Sequence, residues 1–110
     1  MPYVSITGLR IKSIWRVPQF LWHAFTSMRQ AKRAPGVLFA EARSVDGVQH
    51  TLTVWRSRSD MLAYMKSGPH LAAIKNFHRI ASGATCGFEA EHRPTWDEAV
   101  AYWRTHGRPY

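Results

Sequence analysis

From His50 to Phe77 the chain reads HTLTVWRSRSDMLAYMKSGPHLAAIKNF, and this run fixes a strand, a capped helix, a break and a second helix in immediate succession. Thr51-Leu52-Thr53-Val54-Trp55 alternates β-branched and aromatic residues with the period of a half-buried strand. Ser57-Arg58-Ser59-Asp60 then fits a capping box, in which a hydroxyl and a carboxylate satisfy N–H groups left unpaired at a helix start. Met61, Leu62 and Met65 supply one apolar stripe, with Tyr64 at its edge. Gly68-Pro69 ends that helix and opens another, with Pro69 where a missing N–H costs nothing. His70 therefore falls in the first turn of the second helix, and the rest of the chain has to be placed around this unit.

Residues 3–12 alternate as a strand with Val4 and Ile6 on one face and Leu9 and Ile11 on the other. The phase changes at Gly8, which suggests a bulge or a close approach of backbone to another group. After a connector from Ser13 to Val17, Pro18 opens a helix whose positions Leu21, Ala24, Phe25, Met28 and Ala31 keep the i, i+3, i+4, i+7 spacing of a core-facing stripe. Pro35-Gly36 closes it and Val37 to Arg43 begins a second strand. Asp46-Gly47 tolerates the positive φ angles of a tight hairpin turn into the strand from Gln49. The second helix of the central run is expected to finish over Asn76 to Ser82, with Gly83 at its end. Thr85 to Glu91 reads as a fourth strand, and Thr95-Trp96-Asp97-Glu98 is another capping box opening a last helix to about His106.

The order strand, helix, strand, strand, helix, strand is the split βαβ or ferredoxin-like arrangement. It predicts an α+β fold with a four-stranded antiparallel sheet, helices on one face and an extra C-terminal helix, in one domain over residues 1–110. Such a layer leaves the other sheet face bare. Two copies closing those faces on each other would form a dimeric α+β barrel, so a homodimer is expected.

Composition narrows the function classes. The chain has 110 residues, 45% hydrophobic and 13% aromatic, which suits a packed core. No apolar run reaches a membrane span, and Met1-Pro2-Tyr3 leads directly into a strand pattern rather than a signal peptide, so a cytoplasmic protein without a membrane partner is expected. Cys86 is the only cysteine, which excludes an intrachain disulfide and CxxC chemistry and reads as a buried structural thiol. The net charge of +8 is placed in part by Arg29, Lys32 and Arg33 at the end of the first helix, where cations complement the helix dipole. The strands carry no RNP-type aromatic signature, so no nucleic-acid partner is expected. The excess charge points instead to anionic small molecules. No HxH, HExxH or carboxylate-rich cluster occurs, and no metal is expected.

The segments LRIKSIWRVPQFLWHAF, KRAPGV, TLTVWRSRSDMLAYMKSGPH and PTWDEAVAYWRTHGRP together resemble the dimeric α+β barrel superfamily that includes the antibiotic-biosynthesis monooxygenases, and more closely a bacterial family of unknown function within it. The resemblance covers nearly the full length. It implies a pocket between the sheet and the helices and a small-molecule substrate. Heme-degrading members would place their ligating His where this chain has Ile74 and their catalytic tryptophan at Tyr64. Their first-strand asparagine has no counterpart near Thr7 or Gly8, and only His78, one turn on, could substitute as a ligand. Polyketide-cyclising members use a tyrosine and a histidine six residues later, the spacing of Tyr64 and His70. An imidazole near neutral pKa can take a proton α to a carbonyl while a phenol stabilises the enolate. In the third chemistry, cofactor-free oxygenation, a substrate carbanion reacts directly with dioxygen in an apolar pocket.

The candidate catalytic residues are therefore His70, Tyr64 and His23, with Arg10, Trp22, Phe25 and Trp55 binding substrate and no cofactor required. Each has a structural alternative: Tyr64 packing at a helix edge, His70 capping a helix, Trp22 filling the core and His23 held by local hydrogen bonds. The whole chain has one too, as a non-catalytic barrel binding an apolar anionic metabolite or heme. His50 and His92, at strand ends, are expected to be exposed, and His106 lies at a helix end. Trp96 and Trp103, seven apart and sharing a face with Val100, would dock the last helix onto the barrel or a partner subunit.

Overall fold

A computed structural model describes residues 2–66 and 81–109. The expected second helix, with Gly68-Pro69, His70, Ile74 and His78, lies outside the described residues. The chain runs through β1 (Tyr3–Ile11), a helical turn at Ile14–Arg16, α1 (Val17–Arg33), β2 (Val37–Val45), β3 (Val48–Trp55), α2 (Arg58–Met65), β4 (Ala81–Glu89), α3 (Trp96–His106) and a terminal β5 (Arg108–Pro109). The sheet is antiparallel with order β2-β3-β1-β4-β5. Its first four strands have the ferredoxin-like arrangement expected from the sequence. The fifth is an addition: Arg108 and Pro109 pair with Thr85 and Ala84.

The local signals act as written. Asp46 and Gly47 take φ values of 51° and 77°, which matches the twist of the flanking strands and joins β2 to β3 at the Val45–Val48 pair. Thr95 Oγ1 accepts from the Glu98 amide at 3.2 Å while Glu98 Oε1 accepts from the Thr95 amide at 3.0 Å, a complete capping box that also draws the Glu98 carboxyl below its usual range. At α2 the box is half formed. Ser57 Oγ accepts from the Asp60 amide, but the Asp60 carboxylate turns to Arg56 Nε at 3.3 Å.

Gly83 does not end a helix. β4 begins at Ala81 because β1 extends to Ile11 and its backbone groups need partners along that whole length; Ile11 pairs with Ala81 and Leu9 with Gly83. A Cβ on Gly83 would run into the Gly8 carbonyl, so this glycine serves close strand approach.

Adjacent paired residues share a sheet face. One face carries Val4, Ile6, Leu52 and Val54, all at most 5% exposed, with Ala99 of α3 packed on them. Phe88, Tyr102 and Trp103 extend this cluster. The phase change read at Gly8 is a real change of face: Leu9 and Ile11 instead meet Phe20 of α1. Gly8 sits under α3, where a Cβ would enter the Trp103 indole. Close approach, rather than a bulge, is the reason for glycine there.

α3 corrects the expectation of a bare sheet face. It lies on the face opposite α1 and α2, tied down by Trp103 Nε1–H donating to the Ala84 carbonyl at 2.9 Å and by Trp96 Nε1–H donating to Glu41 Oε1 at 2.6 Å. The two tryptophans thus dock the helix on the chain's own sheet, and the physical ground given above for a second copy is removed.

Candidate functional site

The face toward α1 and α2 is built differently. Ser5 and Thr7 of β1 pair with Thr53 and Thr51 of β3 and with Gly87 and Thr85 of β4, so five hydroxyls from three neighbouring strands share one surface. A sheet face packed under helices ordinarily carries branched apolar residues. Thr53 Oγ1 accepts from Trp55 Nε1 at 2.9 Å, and Thr85 Oγ1 donates to the Ile6 carbonyl. Ser5, Thr7 and Thr51 make no side-chain hydrogen bond among the described residues. The sequence carries this as hydroxyls at alternate positions, interleaved with Val4, Ile6, Leu52 and Val54. Only strand pairing reveals that they converge.

Trp55 and Tyr64 wall one end. Trp55 is fully buried, and the Tyr64 ring stacks on it with centroids 5.1 Å apart. Tyr64 Oη–H donates to the Ser27 carbonyl at 3.0 Å and Gln30 Nε2 donates to the Tyr64 carbonyl, so the phenol bolts α2 to α1. Ser27 Oγ is itself buried with no hydrogen-bond partner among the described residues, and it lies on the helix face of Phe20 and Ala31, toward the sheet. Buried hydroxyls nearly always find a partner, so an orphan marks a place where a polar group can be received. An open cleft of about 470 Å³ borders Tyr64 on its outer side, lined by Gln30, Arg33, Pro35, Asp60 and Ala63.

No family model and no curated protein matches the sequence. Solved structures do. SnoaB from Streptomyces nogalater, a cofactor-independent oxygenase, superposes with a TM-score of 0.66 at 14% identity, over 88% of this chain and 98% of that one. A candidate antibiotic biosynthesis monooxygenase from Nitrosomonas europaea gives 0.70 at 15% identity, over 82% and 99%. Rv0793 from Mycobacterium tuberculosis gives 0.72 at 9%, over 84% and 99%. This chain has the antibiotic-biosynthesis-monooxygenase-like fold.

Within that fold the residues singled out from the sequence divide. Tyr64 and Trp55 come together as described, and half-buried His23 lies on the same side of α1 as Ser27 and Gln30. Arg10 is exposed at the end of β1, while Trp22 and Phe25 are 65% and 63% exposed on the outward side of α1. The expected core stripe of α1 is corrected in part: Ala31 is fully buried, but Leu21, Ala24 and Phe25 face out, and Phe20 takes the other buried position. The periodicity found an apolar stripe, but the helix is rotated so that only its edge at Ala31, with Phe20 and Ser27 on the same side, meets the sheet.

His50 is 2% exposed rather than open at a strand end. It pairs with Gly8 beneath α3, stands edge-on to Trp103 with centroids 4.7 Å apart, and places Nδ1 3.1 Å from the Thr7 carbonyl, a geometry that requires the Nδ1–H tautomer. Burial lowers its pKa, against a raising contribution from that hydrogen bond, and Arg104 lowers it further. Half-buried Cys86 belongs to the same apolar cluster, and desolvation pushes its thiol up to about 11, so it is protonated and inert at neutral pH. His92 and His106 are exposed. Among the described residues no group of three or more His, Cys, Asp or Glu could hold a metal ion.

Proposed function

We propose that this chain is a small-molecule enzyme of the monooxygenase-like class, performing cofactor-independent oxygenation or related acid/base chemistry on an apolar or aromatic substrate held between the hydroxyl-bearing sheet face and the helices. The observation that carries this reading is the five-hydroxyl surface on the α1 side of the sheet, together with a buried Ser27 Oγ on α1 that has no partner among the described residues. Such a surface suits a planar substrate whose carbonyl or phenolate oxygens need donors while its ring packs on Trp55. The fold shared with a cofactor-independent oxygenase supports the chemistry.

In that chemistry a base removes a proton from an activated C–H and the resulting carbanion reduces dioxygen. The peroxide formed collapses as a CH₂ group becomes a carbonyl, and the second oxygen atom leaves as water. The electrons come from the substrate, so the protein has only to deprotonate, orient and exclude water. His70 is the proposed base, with Tyr64 and His23 as the further polar candidates. The homodimer implied by the superfamily resemblance belongs to the same proposal.

The test is oxygen uptake with a panel of anthrone-like and phenolic polycycles. His70→Ala is expected to cost about a hundredfold or more in kcat with affinity retained, as for a general base. Thr7→Val and Thr51→Val are expected to raise KM by about tenfold each, the cost of one lost substrate hydrogen bond. Unchanged kinetics in both valine variants would sink the reading of the sheet face. Ligand binding without turnover, altered only in affinity by His70→Ala, would identify a binding protein instead.

A further inference from the structure

No Asp or Glu precedes Glu41, while Arg10, Lys12, Arg16, Arg29, Lys32 and Arg33 all lie in that stretch. The same stretch holds most of the exposed large apolar side chains. Ile14 is 78% exposed, Trp15 88%, Leu21 58%, Trp22 65% and Phe25 63%. On a helical projection Pro18, Leu21, Trp22, Phe25, Arg29 and Lys32 fall on one side of α1, opposite the buried Phe20 and Ala31. That side is apolar and aromatic in its first half and cationic in its second. Ile14 and Trp15 extend the apolar half through the preceding turn, with Lys12 exposed at its start. A single-sign surface with contiguous exposed tryptophan and aliphatic side chains is not a solvated helix face.

We propose that the outward face of α1 and the turn before it form an interfacial anchor for an anionic lipid surface. Trp15, Trp22, Ile14, Leu21 and Phe25 would enter the boundary between headgroups and acyl chains, and Arg29, Lys32 and Lys12 would sit on the anionic headgroups. Charge decides between occupants. A second copy docked through the same face would join two surfaces of the same sign and supply no counter-charge, whereas an anionic bilayer neutralises them. A single-stranded nucleic acid would use the cations and the aromatics but leave Ile14 and Leu21 in water. None of this needs a spanning segment, and no described helix is long and apolar enough to be one. It revises the expectation of no membrane partner, which rested on spanning alone, and it stands apart from the reading of the sheet face.

The experiment is co-sedimentation of the full chain with vesicles of phosphatidylcholine alone or mixed equally with phosphatidylglycerol, following tryptophan emission. Binding to the mixed vesicles only, with a blue shift, is expected, since Trp55 is already buried and Trp15 and Trp22 dominate the change. Trp15→Ser/Trp22→Ser is expected to lose tenfold or more in partitioning with an unchanged Tm. Arg29→Gln and Lys32→Gln are each expected to cost about fivefold. The proposal is overturned by absence of binding, by binding that the double serine variant retains, or by binding without a blue shift. It is equally overturned if the chain is a dimer that Trp22→Ser dissociates, or if single-stranded RNA displaces it from vesicles at equal affinity.

Discussion

Replacing Gly8 by Ala tests the layer that separates this chain from a bare ferredoxin-like sheet. The added Cβ would lie 2.5 Å from Trp103 Cε2 and 2.9 Å from His50 Cε1, where ordinary carbon contacts are about 3.5–4.0 Å. The indole must retreat by roughly 1 Å, and overpacking of this kind costs about 1–3 kcal/mol. Retreat also strains the 2.9 Å bond from Trp103 Nε1–H to the Ala84 carbonyl, a further ~1 kcal/mol. Against this stands the reduced freedom of the unfolded chain when Gly becomes Ala, about 0.4–1 kcal/mol in favour of the variant. The net is a destabilisation of about 1–3.6 kcal/mol, and for a chain of this size roughly 4 °C of Tm per kcal/mol gives a fall of about 4–14 °C. Thermal and urea unfolding followed by circular dichroism measure it. In a Trp103→Leu background the indole is gone and His50 can shift into the space it leaves, so the same substitution should cost less than ~1 kcal/mol, a coupling that a double-mutant cycle reads directly. A Gly8→Ala Tm within about 2 °C of the parent, or strict additivity with Trp103→Leu, would refute the docking of α3 described above.

Because burial lowers the pKa of His50 from its ordinary value of 6.5, the unfolded chain takes up the proton first as pH falls. Stability is therefore lost as pH drops through 6.5 and levels off only below the folded-state pKa. Tm measured from pH 8 to pH 5 should show this decline, shallower in His50→Gln. Thr95→Ala should cost about 1 kcal/mol by removing the α3 cap, and Thr95→Ser should restore most of it in urea unfolding. With its thiol pushed up to about 11 by desolvation, Cys86 should react with a disulfide reagent at pH 8 slower than an ordinary thiol by roughly tenfold or more, a gap that denaturant should close.

Most of the backbone was legible because its signals are local. Alternation marked β1 and β3, Asp46-Gly47 marked the hairpin, and Thr95 with Glu98 marked the start of α3. The misreadings all concern what a segment meets. Leu21, Phe25 and Met28 form an apolar stripe by any count, yet α1 turns Phe20, Ser27 and Ala31 to the sheet, because the connections from β1 and into β2 fix the rotation of the helix. His50 looked exposed as the first polar residue of a strand; its burial comes from Trp103, far along the chain. Gly83 looked like a helix stop because nothing local says that β1 requires a partner as far as Ile11.

The two faces of the sheet are unequal, and the inequality bears on function. A sheet covered on both sides ordinarily shows near-continuous apolar strands, but Val4 to Thr7 of β1 and Thr51 to Val54 of β3 alternate between branched aliphatics and hydroxyls. The aliphatic face, under α3, holds the fully buried Val4 and Ile6 and supplies the burial that a chain of this length depends on. The hydroxyl face also buries Trp55 and Phe20, yet it carries Ser5, Thr7 and Thr51 where branched aliphatics would bury more apolar area, and Ser27 Oγ has no partner among the described residues. Tyr64 fits the same division of labour. Stacked on Trp55 and bonded to the Ser27 carbonyl, it holds α1 and α2 together at one end of that surface, while Phe20 packed on Leu9 and Ile11 sets the spacing of α1 from β1.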